Sequence, residues 1–151
     1  MIEELRKKLD EGKITTKELY DKAISIDLKE KDVNTFVTIV PLREKKTKID
    51  SIIYGIPYTL KDNFSTRGIK TTACSNILKD YVPVYDSTVY KKLKECGAVL
   101  VGKTTMDELA MGGTGTTGNT GKVLNPLDKE RMIGGSSSGS CTSVVLDMVP
   151  F

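Results

Sequence analysis

The sequence predicts an α/β fold in which a β-sheet is covered by helices on both faces. The observation that points there is alternation: segments of helical period at 2–10, 17–29 and 87–96 are interleaved with short apolar, strand-like runs at 36–40, 55–63 and 98–101. With 151 residues, 38% of them hydrophobic, the composition suits one globular domain.

Residues 2–10 and 17–29 read as amphipathic helices. The second is opened by a capping box of Thr15 and Glu18 and carries Leu19, Ala23 and Ile26 as its apolar stripe. Phe36 to Val40 reads as a strand, and the charged stretch Leu42 to Asp50 as a solvated loop or short helix. Residues 1–50 are thus a mostly helical lead-in to the core that begins at 51. Gly55 to Asn63 reads as a turn running into a short strand. Ile56, Tyr58 and Leu60 share one face of it, and Lys61 sits at its end on the opposite parity. Asp86 is placed to cap a helix from Ser87 to Cys96, Gly97 to stop it, and Ala98 to Val101 to form a buried strand. A short helix around Met106 to Ala110 follows. From Gly112 to Gly121 the chain holds only Gly, Thr and Asn, a composition that by itself signals disorder. In the last segment Cys141, Val144, Val145, Met148 and Val149 have the spacing of a buried helix.

Composition weighs against several functions. There are 23 basic and 20 acidic residues, a net charge of +3, too balanced to argue for direct nucleic-acid binding. Lys91, Lys92 and Lys94 read as the wet face of a helix. Cys74, Cys96 and Cys141 are odd in number with no CxxC pair, which argues against zinc and against a disulfide framework; Cys96 and Cys141 are expected to be buried packing residues. No signal peptide, membrane span or lipidation motif is apparent, so a cytoplasmic location is expected. Gly97 to Thr104 satisfies the pattern G-x-x-x-x-G-K-[ST], but its four intervening residues are apolar, follow a helix and read as the strand itself. A loop of phosphate-binding N–H groups is not expected there.

The chemistry points elsewhere. The chain has no histidine, the usual base for a hydroxyl nucleophile. Lys61 is the best-placed substitute, because burial disfavours the ammonium and lowers the pKa of a lysine. The run Gly134-Gly135-Ser136-Ser137-Ser138-Gly139-Ser140 has three readings: a flexible linker, an anion-binding nest, or a tight catalytic turn at a helix start. The apolar period that follows favours a close backbone approach over a linker.

Together these segments resemble the amidase signature family, with a match almost continuous from Gly55 to Phe151. The resemblance implies the N-terminal part of the amidase signature fold, a mixed sheet covered by helices on both faces, truncated at Phe151. It also implies a Ser-cisSer-Lys triad. Lys61 of Gly55-Ile56-Pro57-Tyr58-Thr59-Leu60-Lys61-Asp62-Asn63 would be the base, and Ser136, preceded by a cis peptide, the proton relay. Gly134, Gly135, Ser137, Asp62 and Asn63 would support them. Ser138 stands where the family usually has glycine. The nucleophilic serine would come from a G-[ST]-D-[TI]-G-G-S motif that does not occur up to Phe151, so the 151 residues alone are expected to be inactive. No metal is expected.

Lys70 to Ser75, Tyr85 to Val89 and above all Gly102 to Gly112 are similar to the A-subunit branch, from the aspartyl/glutamyl-tRNA amidotransferases. That similarity implies release of ammonia from glutamine for transamidation of a mischarged tRNA. The partners would be subunits B and C, with no cofactor in this chain and with ATP and Mg²⁺ held by one of those partners. Thr116 falls where that branch commonly has glutamate. Alternatives are another amidase signature enzyme acting on a different amide, or a non-catalytic fragment that only binds partner subunits. Cutting the sheet at Phe151 would leave edges unpaired and a core face bare, so marginal solubility is expected.

Overall fold

The computed structural model describes residues 1–44 and 47–151. Helix α1 spans Ile2–Asp10 and α2 spans Thr16–Lys29. The predicted capping box is present: Thr15 Oγ1 accepts from the Glu18 N–H at 3.1 Å, and Glu18 Oε2 accepts from the Thr15 N–H at 2.7 Å. Leu19 and Ala23 are buried as the stripe requires, and Ile26 is half-buried. Within the charged stretch 42–50, residues 45–46 lie outside the described residues; the remainder forms neither helix nor strand.

Three strands form one mixed sheet in the order β1-β3-β2: β1 (Phe36–Ile39), β2 (Pro57–Lys61) and β3 (Val99–Thr104). Strand β3 is antiparallel to β1 and parallel to β2. It runs three residues beyond the predicted end at Val101 and is buried throughout. Helix α3 (Thr88–Glu95) precedes it. Ser87, not Asp86, caps α3, its hydroxyl accepting from the Tyr90 N–H at 3.4 Å. Asp86 instead accepts from the Arg67 N–H at 2.8 Å and pairs with Lys94 at 3.4 Å.

Both faces of the sheet are covered. On one side Tyr58, Leu60 and Leu100 pack with Val40 and Ile69 against Tyr90 and Leu93 of α3. On the other, Val101 packs with Ala23 of α2 and with Met148 and Val149. After α4 (Ser138–Val145) the chain returns beside β2: the Thr59 N–H donates to Phe151 O at 3.2 Å, and the Phe151 ring stacks on Tyr58 with centroids 5.6 Å apart. Part of the edge that was expected to be bare is therefore paired.

A register shift decides where the charged end of β3 points. Tyr58 pairs with Leu100 but Thr59 pairs with Gly102, so Val101 is an extra residue on β3. An extra residue reverses the parity of everything after it. Lys103 is thereby turned onto the Leu60 face, where it is wholly buried against Asp62 at 3.3 Å and donates to Phe64 O at 2.9 Å and Thr71 Oγ1 at 3.0 Å. Burial pushes its pKa down and the Asp62 charge opposes that. The lysine of the apparent phosphate-loop pattern is thus part of a buried ion pair in a strand.

Helix α4 departs most from the sequence reading. Its buried face is not the valine stripe but Ser138, Gly139, Thr142 and Ser143, while Cys141, Val144 and Val145 are exposed. Met148 and Val149 are buried, but after the helix has ended. Hydroxyl pairs join α4 to the sheet and to the segment before β1: Thr35 with Thr142 at 3.0 Å, Thr59 with Ser143 at 2.9 Å, and Thr104 with Ser140 at 2.7 Å. Small side chains permit this close seat. A Cβ on Gly139 would lie 2.4 Å from Thr35 O and 2.6 Å from the Thr105 nitrogen, backbone atoms that cannot step aside. The cysteine expectations also change, since Cys96 is half-buried and the buried cysteine is Cys74.

Two stability measurements check this packing. Gly139→Ala should cost more than about 2 kcal/mol in denaturant unfolding, because the added methyl has no free volume. Lys103→Met should cost about 3–5 kcal/mol by leaving Asp62 charged and buried, and adding Asp62→Asn should recover part of that loss.

Candidate active site

The site forms where β2 ends and α4 begins. Lys61 is the last residue of β2 and shares the sheet face of Thr59, toward α4, as its parity predicted. Ser136 lies in the turn leading into α4. Lys61 Nζ donates to Ser136 Oγ at 2.7 Å, joining the two residues that the sequence singled out. The Gly135–Ser136 peptide is cis, and Gly134 has a φ of +85°, a conformation open to glycine.

Each supporting residue has a definite place. Gly135 sits so close to Asp107 that a Cβ there would lie 2.0 Å from Oδ2. Ser137 is exposed at the start of α4, its carbonyl accepting from the Cys141 N–H at 3.1 Å. Ser138, the departure from the usual glycine, is buried against the carbonyl of Thr105 at 3.5 Å. Asp62 and Asn63 are not brought to the Lys61–Ser136 pair. Asp62 turns to the opposite face and accepts from the Thr72 N–H at 2.8 Å and the Thr72 hydroxyl at 2.6 Å, beside Lys103. Asn63 is exposed.

Asp107 is the residue that sequence reasoning missed. It precedes a 3₁₀ turn, Glu108–Ala110, where a short helix was expected. Its carboxylate accepts from the N–H groups of Thr114, Gly115, Thr116 and Thr117 at 3.0–3.2 Å and from the Thr117 hydroxyl at 2.9 Å. Its own N–H donates to Ser136 O at 3.2 Å. One residue therefore ties the glycine-threonine loop, through its carboxylate, to the glycine-serine turn, through its backbone N–H, so a stretch whose composition signals disorder has a fixed shape. Thr116, at the departure from the commoner glutamate, is exposed and pairs its hydroxyl with Thr114 at 2.7 Å. An aspartate just upstream of a glycine-threonine run, able to accept several loop N–H groups, was the available signal.

Electrostatics follow from these contacts. Burial lowers the pKa of Lys61, and the nearby Asp107 charge offsets part of that. Burial would raise Asp107, but the N–H donors of Gly115, Thr117 and Thr116 and the Thr117 hydroxyl outweigh it and hold the carboxyl below its usual range. Among the described residues Lys61 makes no ion pair, whereas Lys103 faces Asp62. No group of His, Cys, Asp or Glu among the described residues could hold a metal ion. Among the described residues no helix is long and apolar enough to cross a membrane.

The fold and site define an amidase-type core. The family model described as Amidase matches residues 16–151, and the chain belongs to that family. It is 42% identical to the A subunit of glutamyl-tRNA(Gln) amidotransferase from Oenococcus oeni, over 97% of this chain and 32% of that protein. Among solved structures it is similar to the A subunit of glutamyl-tRNA(Gln) amidotransferase from Thermotoga maritima, with 34% identity and a TM-score of 0.71, covering 91% of this chain and 32% of that one. It also resembles an amidase family protein from Bacillus anthracis, with 33% identity and a TM-score of 0.81, covering 99% and 34%. The chain spans about a third of the length of these relatives.

The lowered pKa carries a sign that titration can read. In the window between the folded value and the ordinary lysine value the unfolded chain binds the Lys61 proton more tightly, so this group's contribution to stability rises with pH there. After reductive ¹³C-methylation, the Lys61 resonance should titrate below those of exposed lysines. In Asp107→Asn its midpoint should fall further, because the charge favouring the ammonium is gone.

Proposed function

We propose that Lys61 and Ser136 are the proton-relay part of an amide-hydrolysing site, in the A subunit of a glutamine-dependent tRNA amidotransferase. The observation that supports this most is the 2.7 Å contact between Lys61 Nζ and Ser136 Oγ. An amine whose pKa is lowered by burial reaches its neutral form at lower pH than a free lysine, and then has a lone pair. The same contact that Lys61 donates as an ammonium it accepts as an amine. Ser136 then gives its hydroxyl proton to Nζ while taking one from an attacking serine, and the relay runs backward to protonate the amide nitrogen as its C–N bond breaks, so that it leaves as ammonia. Asp107 holds the turn carrying Ser136 and sets the charge near Lys61.

In this reading the attacking serine lies in the G-[ST]-D-[TI]-G-G-S motif of the family, outside the 151 residues. Its backbone N–H groups would also supply the oxyanion hole, where loss of one donor costs about 10²–10³ in rate. Glutamine is the ammonia donor. Subunits B and C are the partners, and ATP, Mg²⁺ and the mischarged tRNA are handled on the partner side of the complex. The names of the relatives support this assignment, as does the run Met106-Asp107-Glu108-Leu109-Ala110-Met111-Gly112.

Ammonia release from glutamine tests the proposal. The 151-residue chain alone should show none, and activity abolished by Lys61→Ala in that chain would overturn the two-serine mechanism. In a polypeptide extended to include the G-[ST]-D-[TI]-G-G-S motif, glutaminase activity should appear, and Lys61→Ala or Ser136→Ala should lower kcat by at least about 10².

A further inference from the structure

On the sheet face opposite Lys61, α3 and the segment after β1 enclose a cavity of about 190 Å³, small beside the ~300–1,000 Å³ of drug-sized sites. Its walls are mixed in a way that packing alone does not require. Val40, Leu100, Ala98 and the rings of Tyr58 and Tyr90 make them apolar, while Arg43, Arg67, Lys94 and Glu44 bring charge to the opening. Lys94 is paired with Asp86 at 3.4 Å and lies over the Tyr90 ring at 5.6 Å. The side chains of Arg43 and Arg67 make no ion pair or hydrogen bond among the described residues, and both are exposed.

The second observation is buried. Tyr58 is 1% exposed, and its hydroxyl has no hydrogen-bond partner among the described residues. A buried hydroxyl left unpaired costs about 1–3 kcal/mol, so a partner is called for. Burial keeps this phenol neutral well above its ordinary range, and the neighbouring groups that add to the effect are Tyr90 and Asp86. Tyr58 and Tyr90 line the same cavity and pack in the same cluster, so the unpaired hydroxyl belongs to a residue of its wall.

We propose that this cavity binds a small organic carboxylate with an apolar or aromatic body. Guanidinium groups take carboxylates in paired hydrogen bonds, the neutral Tyr58 hydroxyl donates one more from the interior, and the apolar walls accept the body. Glu44 at the opening disfavours a doubly charged phosphate over a single negative charge. The site is separate from the Lys61–Ser136 pair: Tyr58 and Leu60 face α3, whereas Thr59 and Lys61 face α4.

Benzoate is the probe, titrated into the chain and followed by the amide resonances of 58, 67 and 90 and by thermal unfolding. Saturable shifts at those positions and a rise in Tm are expected. Benzamide, equal in size but uncharged, should produce neither, and phenyl phosphate should bind more weakly than benzoate. Arg67→Gln should weaken benzoate at least about tenfold, the order expected for a lost charge-assisted hydrogen bond. Tyr58→Phe should leave the ligand-free Tm unchanged or higher, because it removes an unpaired hydroxyl, yet weaken benzoate several-fold. Absence of saturable benzoate binding would overturn the proposal. So would equal binding of benzamide, tighter binding of phenyl phosphate, or an affinity unaltered by both substitutions.

Discussion

The close seat of α4 on the ends of β2 and β3 is the constraint on which the site depends. Gly139 meets the backbone at Thr35 and Thr105, and its N–H donates to Thr105 O at 2.9 Å. No side chain larger than hydrogen fits at that contact, and the α4 hydroxyls around it give the buried Thr35, Thr59 and Thr104 hydroxyls their partners. Only with the helix this near the sheet can the turn before it carry Ser136 to within 2.7 Å of Lys61. An apolar stripe of valines at the same interface would hold the helix farther away, since valine against valine needs more room than threonine against serine.

Charge is divided between the two sheet faces by the same geometry. Consecutive residues Lys61 and Asp62 leave the end of β2 in opposite directions, one toward Ser136 and the other toward Lys103. The extra residue Val101 places Lys103 on the Asp62 side, so that carboxylate is matched by a buried cation and does not pair with Lys61. Asp107, whose charge acts on Lys61, directs its oxygens to four loop N–H groups and one hydroxyl. Lys61 is left with burial as its main perturbation, and burial favours the neutral amine. Two lysines close in space thus differ in role because one has a carboxylate at contact distance and the other has a serine.

The loops around the site trade local strain for position. Ala73 and Cys74 both have φ of +49°, and Leu109 and Ala110 have φ of +52° and +62°, a region non-glycine residues rarely occupy. The two loops are joined through the Leu109 N–H donating to Ala73 O at 2.9 Å and Ser75 donating to Glu108 at 2.7 Å. Asp107, at the start of the second loop, then fastens the third, from Thr114 to Thr117. The carboxylate and the glycine-serine turn are held by backbone hydrogen bonds, which position Ser136 more firmly than surface side chains would.

What the sequence alone determined was local and periodic. The capping box of α2 and the parity that sets Lys61 apart from Tyr58 and Leu60 follow from spacing along one strand or one helix end, while Ser136 is singled out as its companion by the resemblance of the motifs around both residues to the amidase signature. Tertiary structure decided whatever depends on a partner far along the chain. The burial of α4 through its serines and threonines, the turning of Lys103 by one extra residue in β3, and the anchoring of a disordered-looking loop by Asp107 leave no periodic signal. Periodicity reports which residues share a side. It cannot report how near the opposing element comes, and here that distance selects hydroxyls over valines and one lysine over the other.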